Sequence, residues 1–263
     1  MISVDEAYAH CANVARRHYE NFPVASVLVP LRMRKHLFAI YAFSRLADDI
    51  ADEPWTTDTS ARIAALNELE HELVGSSDIS EDPVFVALHQ TIKEVRLPLA
   101  PFQRLLTAFK SDVNFVTPTT WEDVLAYCSN SADPVGELFL RLDHNGREPS
   151  AEAIACSNAI CTALQITNFL QDLGTDLQRG RSYLPITDSD VIKRTRALFD
   201  KGAPVVNHAH SWRLRLELRA IIAGGRTMLD LCEQRTNRLE RPTLGARAVA
   251  RMVGNFVQTS PRA

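Results

Sequence analysis

Glycine is scarce in this chain, ten residues in 263, and no Asn-Gly or Asp-Gly pair stands between two alternating apolar runs. That excludes the short-hairpin signature of an all-β protein. The Asn145-Gly146 pair follows an amphipathic run instead and reads as a turn between helices. Long hydrophobic runs are missing as well. No 18 consecutive apolar residues occur, so no membrane span is expected. The five cysteines (Cys11, Cys128, Cys156, Cys161, Cys232) are odd in number and form no CxxC. That argues against a disulfide framework or a zinc site and for a reducing compartment. Cys156 and Cys161 sit in an apolar helical stretch and read as core. There is no excess of positive charge: 29 Lys and Arg against 32 Asp and Glu give a net charge of −3, and nothing points to nucleic acid. The first residues carry no basic region followed by an apolar block, and Gln258–Ala263 is polar. The expectation is a cytoplasmic protein with no signal or anchor, one able to touch a membrane surface.

What is present is helical periodicity nearly throughout. It predicts helices at about 4–19, 31–51, 59–74, 82–95, 101–113, 120–128, 133–143, 150–174, 188–200, 207–238 and 242–258. Proline and glycine punctuate the gaps, and two starts carry caps. Thr119-Thr120-Trp121-Glu122-Asp123 has the form of a capping box, and Ser150-Ala151-Glu152 follows Pro149. No linker or shift of composition divides the chain, and no repeat of 20–50 residues is found. The fold class expected is all-α, with residues 1–263 as a single domain.

Two acidic clusters about 120 residues apart are the main chemical signal. They are Asp48-Asp49-Ile50-Ala51-Asp52-Glu53 and Gln171-Asp172-Leu173-Gly174-Thr175-Asp176. Each holds a DxxxD pair, Asp48/Asp52 and Asp172/Asp176, which a helix stacks on one face. Like charges so placed repel by a few tenths of a kcal/mol, at about 0.2–0.5 kcal/mol per pair. Each pair also ends an apolar run, where an uncompensated carboxylate is costly. A cation would relieve both. Carboxylates without nearby Cys or His suit a hard ion, Mg²⁺ above all, which completes its shell with water and phosphate oxygens. Two such faces meeting across a cavity would bind a diphosphate.

The neighbouring residues admit two readings each. Arg45 shares the helix face of Asp48 and Asp49, and it either pairs with them or holds diphosphate beside the metal. Arg179-Gly180-Arg181-Ser182-Tyr183 is either an anion-binding stretch or a solvated helix end. Gln165 and Asn168 share the face of Asp172, either for phosphate and metal-bound water or for bonding between helices. Tyr127 opens a stretch of small residues through Gly136 that either leaves room for a bulky apolar ligand or turns between two core helices. His18, at the end of the first helix, either binds diphosphate or caps.

Taken together, YAFSRLADDIAD (Tyr41–Asp52), the Tyr127–Gly136 stretch, the Gln165–Asp176 stretch and RGRSYLP (Arg179–Pro185) resemble the squalene and phytoene synthase family. The resemblance spans about residues 10 to 256. HYENFPVAS (His18–Ser26), Pro134 and the RPTLG stretch from Arg241 are similar to its bacterial hydroxysqualene synthase branch. Gln171 stands where other branches often carry Arg. The resemblance implies a trans-prenyl diphosphate synthase fold, all-α, around a central hydrophobic cavity. It implies Mg²⁺ held by Asp48, Asp52, Asn168, Asp172 and Asp176. Substrate contacts would come from His18, Tyr41, Arg45, Gln165, Asn168, Arg181 and Tyr183, with Tyr127 near the water that quenches the cation. Phe43, Val135, Leu138, Leu164 and Phe169 would be among the cavity walls. The substrate implied is presqualene diphosphate, with no NADPH. The partners implied are a presqualene diphosphate synthase and a hydroxysqualene reductase at or near the inner membrane. Two alternatives stand beside this: condensation of two farnesyl diphosphates with the same acidic motifs, and a non-catalytic isoprenoid-binding subunit.

Overall fold

The structure, a computed structural model, describes residues 2–17, 28–52, 56–75, 80–185 and 190–243. Among these residues the secondary structure is helical, with no strand, as the periodicity requires. The helices are α1 (Val4–Arg17), α2 (Leu31–Asp52), α3 (Thr59–Val74), α4 (Pro83–Val95), α5 (Ala100–Val113), α6 (Trp121–Ser131), α7 (Asp133–Asp143), α8 (Ala151–Gln178), α9 (Val191–Gly202), α10 (Val205–His208) and α11 (Trp212–Gln234). The chain forms two compact units. One comprises Met1–Val116 and Glu137–Pro149, the other Thr117–Gly136 and Ser150–Ala263.

In the first unit α2 is central and packs against α1, α3, α4 and α5. Met33, Leu37, Ile40, Phe43, Ala47 and Ala51 recur every three or four residues and are buried, the stripe an amphipathic helix turns to a core. Phe43 meets Phe85 of α4 and Phe102 of α5 edge-on, at centroid separations of 5.9 and 5.7 Å. Each ring so buried contributes about 1.5–3 kcal/mol. Phe43 is therefore a core residue of this unit, not a wall of a ligand chamber.

In the second unit α8 is central and packs against α6, α9, α10 and α11. Its start is the expected one: the Ser150 hydroxyl accepts from Ala153 N–H at 3.1 Å. The Thr120–Asp123 capping box opens α6 as read from sequence. Three expectations are corrected. α8 runs to Gln178 rather than stopping at 174, because the stop signal is Gly180 and not Gly174. Gly180 has φ +74°. Its N–H bonds Leu177 O at 3.0 Å, and the Arg181 N–H bonds Asp176 O at 2.9 Å. This is the Schellman pattern of a helix ended by glycine. The helix expected at 207–238 is two, α10 and α11. The Ser211 hydroxyl starts α11 by accepting from Leu214 N–H at 3.1 Å, and Arg215 Nε donates to Ala209 O at 3.0 Å across the break. Pro242 and Thr243 are not helical, and the rest of the helix expected to 258 lies outside the described residues.

By length and composition α8 would also pass for a membrane span, which the run-length criterion missed; 61% of its most apolar stretch is buried inside the fold. That is the behaviour of a core helix. All five cysteines are free. Burial pushes the Cys11 thiol up to about 12 and the Cys232 thiol to about 11, so neither is a ready nucleophile at neutral pH.

Candidate active site

In the first unit, Tyr41, Arg45, Asp48 and Asp52 form a stripe along α2 beside the buried one. The first three are half-buried and Asp52 is exposed. Arg45 forks onto the acids: Nη1 lies 3.0 Å from Asp48 Oδ2, and Nη2 lies 2.5 Å from Asp49 Oδ1. Burial opposes the Arg45 charge, and the two carboxylates outweigh it, so its guanidinium is held above its ordinary value. Both halves of the expected Arg45 role are thus compatible, since the pairing leaves it on the acidic face. The end of α2 is secured by Arg62 of α3. Its Nη1 donates to Ala51 O at 2.6 Å, and Nε and Nη2 donate to Thr56 O at 3.0 and 2.8 Å. Sequence reading missed Arg62, because nothing in an Arg early in one helix signals that it caps another. His18 lies outside the described residues.

In the second unit, Gln165, Asn168, Asp172 and Asp176 form a matching stripe on α8, opposite its buried face and half-buried. Tyr127 of α6, Phe169 of α8 and Tyr183 gather beside it. Phe169 and Tyr183 stack at 4.5 Å with an interplanar angle of 4°. Tyr127 lies 5.8 Å from Phe169 and 5.4 Å from Tyr183. The Schellman turn brings the Arg179–Pro185 stretch back to this cluster, where Arg181 Nη1 donates to the Tyr183 hydroxyl at 3.4 Å. Gly136 leaves no room for a ligand at its α-carbon. A Cβ there would collide with Ser157 Oγ and lie 2.5 Å from Cys161 Sγ, so the small residue serves helix packing. Val135 is 48% exposed.

Asp172 has a partner that sequence reading did not assign. Arg241 Nε pairs with Asp172 Oδ1, and Nη2 reaches Oδ2 at 3.5 Å. The only signal for it was the RPTLG stretch itself, 69 residues away in sequence.

Whether these residues fit a metal can be judged from the donor set. Asp52 and Asp176 lie in the last turns of α2 and α8, with Asp48 and Asp172 one turn earlier, and neither helix has a basic residue in its last turn. A carboxylate in that last turn opposes the helix dipole at a cost of about 0.3–1 kcal/mol. Arg45 and Arg241 bring positive charge to the acids one turn earlier. The stripes offer carboxylate and amide oxygens without sulfur or imidazole, the donor chemistry of a hard divalent cation. The residues fit Mg²⁺.

Residues 15–191 match the family model described as squalene/phytoene synthase. A hydroxysqualene synthase from Rhodopseudomonas palustris is 34% identical over 84% of this chain and 82% of its own. A 15-cis-phytoene synthase from Synechocystis is 32% identical over 71% of this chain and 58% of its own. The crystal structure of squalene synthase HpnC from Alicyclobacillus acidocaldarius superposes with a TM-score of 0.79 at 35% identity, covering 88% of this chain and 94% of that one.

Proposed function

We propose a specific reaction for this chain, which belongs to the squalene/phytoene synthase family: conversion of presqualene diphosphate and water to hydroxysqualene and diphosphate. Members of the family are enzymes of isoprenoid biosynthesis. The observation that carries the reading is the 34% identity to a hydroxysqualene synthase over 84% of the chain.

Asp48 and Asp52 on α2, and Asn168, Asp172 and Asp176 on α8, would hold Mg²⁺, which when bound supplies positive charge toward a leaving diphosphate. Arg45 and Arg181 would donate the paired N–H groups of the guanidinium fork to phosphate oxygens, and His18 would add a single ring N–H. Tyr41 and Gln165, on the same stripes, add polar contacts. As the carbon–oxygen bond breaks, its electron pair leaves with diphosphate and a carbocation remains. Tyr127, Phe169 and Tyr183 present aromatic faces, which attract cations. Water then supplies the hydroxyl, its oxygen bonding the cationic carbon and its spare proton leaving to solvent or diphosphate. Tyr127 is the group we assign to orient that water. The reaction needs no reductant. It places the chain between a presqualene diphosphate synthase and a hydroxysqualene reductase, in the cytoplasm and against the inner membrane that takes up its apolar product.

Incubation with Mg²⁺ and no NADPH tests this, with presqualene diphosphate in one tube and farnesyl diphosphate in another. Hydroxysqualene in the first tube alone is the expected result. Consumption of farnesyl diphosphate would instead favour head-to-head condensation, a second reading that the identity to a phytoene synthase supports.

A further inference from the structure

The acidic end of α8 is crossed by the segment Arg235–Pro242, and four contacts hold it there. Arg235 Nη2 donates to Leu170 O at 2.7 Å. Gln171 Nε2 donates to Pro242 O at 3.1 Å. The Leu239 carbonyl lies against the α-carbon of Gly174, in the place a side chain would need. Arg241 pairs with Asp172. On α8 these contacts fall at residues 170, 171, 172 and 174, so they bracket one proposed metal ligand on both sides. Arg235 also ties the segment to itself, its Nη1 donating to Glu240 O at 3.1 Å.

We propose that this segment is a clasp that holds Arg241 on Asp172, so that the guanidinium competes with a divalent cation for that carboxylate, and that Gln171 and Arg235 are its positioning residues. The proposal rests on the reading that Asp172 is a metal ligand. The Arg241 side chain is 52% exposed and that of Asp172 31%, and an ion pair in such a setting is weak when a long side chain must be ordered to make it. Anchoring the backbone on either side of Arg241 removes most of that ordering cost beforehand. Gln171 is 3% exposed and turns an amide N–H onto Pro242, the residue next to Arg241. An amide so buried must find a partner, and this one finds the clasp. Arg235 uses a second acceptor direction on a carbonyl inside α8. Gly174 admits the Leu239 carbonyl because it has no side chain. The sequence of α8 around Asp172 is thus adapted to the clasp at two positions, Gln171 and Gly174, neither of them among the proposed metal ligands.

The test uses the full chain without substrate and Mn²⁺ alone as probe, with free Mn²⁺ read by electron paramagnetic resonance. Arg241→Gln should tighten Mn²⁺ binding about two- to five-fold, the range of a half-exposed ion pair. Gln171→Leu and Arg235→Gln should tighten it in the same sense, and Arg241→Lys should stay near the parent. The sign is decisive, because general damage to the fold weakens metal binding rather than tightening it. Unchanged or weaker binding in Arg241→Gln overturns the competition. Tighter binding in Arg241→Gln with no change in either Gln171→Leu or Arg235→Gln overturns the positioning role. Asp172→Asn separates the two levels: if it leaves Mn²⁺ binding intact, the metal site itself is misread and the clasp falls with it. If Asp172→Asn weakens binding while the clasp variants do nothing, only the clasp fails.

Discussion

The Leu239 carbonyl stands where a side chain on Gly174 would have to be. Gly174 is helical and lies inside the DxxxD motif of α8, so its requirement comes from close approach and not from backbone torsion. Gly174→Ala brings two opposed effects. Ala favours a helix interior over Gly by about 1 kcal/mol, whereas overpacking against a backbone costs about 1–3 kcal/mol. We expect a net loss, seen as a lower midpoint in thermal unfolding. A higher midpoint would mean that the segment yields at no cost.

Arg62 sets the end of α2. Its three N–H donors satisfy Ala51 O and Thr56 O, and hydrogen bonds from a charged group contribute about 1.5–3 kcal/mol. Arg62→Ala should destabilise toward the lower end of that range, since the side chain is partly solvated. It should also speed amide exchange around Asp48–Asp52, read by mass spectrometry. Arg62→Lys keeps the charge and loses the fork, and should fall between. Unaltered exchange at residues 48–52 would show that α2 holds its end without the cap.

Much of this was legible from local pattern. The 3.6-residue period located most of the helices, Thr120 and Ser150 are local cap signals that the chain obeys, and both DxxxD pairs fall on helices. What was not legible depended on contacts distant in sequence. Gly174 resembles a helix stop unless the Leu239 carbonyl is known to lie against it. Gly136 resembles a space for ligand until Ser157 and Cys161 are seen to fill it. Phe43 has the composition of a cavity wall, and only its contacts with Phe85 and Phe102 make it core. Arg241 could not be paired with Asp172 from spacing, because a separation of 69 residues carries no register.

A buried histidine links stability to pH. His36 lies between Tyr8 and Thr91, with its Nδ1 3.0 Å from Thr91 Oγ1 and its ring edge-on to Tyr8 at 6.0 Å. Burial, with Lys35 adding to it and Glu94 opposing, holds its pKa below the ordinary value. The unfolded chain therefore binds a proton at a pH where the folded chain does not, and stability rises with pH through that window. The His36 contribution is complete above the unfolded value of about 6.5 and declines as pH falls through it toward the lower folded value. We expect the unfolding midpoint to fall between pH 7.5 and 5.5, and the fall to be smaller in His36→Gln. An equal fall in the variant would assign the effect to other groups.

The adjacent acids Asp48 and Asp49 give the sharpest test of the proposed metal site. Both meet Arg45, so loss of either removes one ion pair, and by pairing alone they are equivalent. Their positions on the helix differ. Asp48 lies on the stripe of Tyr41, Arg45 and Asp52, whereas Asp49 lies about 100° around the axis, given 3.6 residues per turn. If the stripe binds Mg²⁺ and the diphosphate, Asp48→Asn should lower kcat by roughly 100-fold or more, since removing a ligand forfeits part of the several kcal/mol a bound cation contributes. Asp49→Asn should cost less than about ten-fold. Chelation of the metal should abolish turnover in both the parent and Asp49→Asn, and Mg²⁺ should restore it. Thermal unfolding without metal should report similar midpoints for the two variants, because each removes one partner of the same arginine. Equal losses of kcat would mean that the acids act only through Arg45, and the assignment of Asp48 as a metal ligand would be wrong.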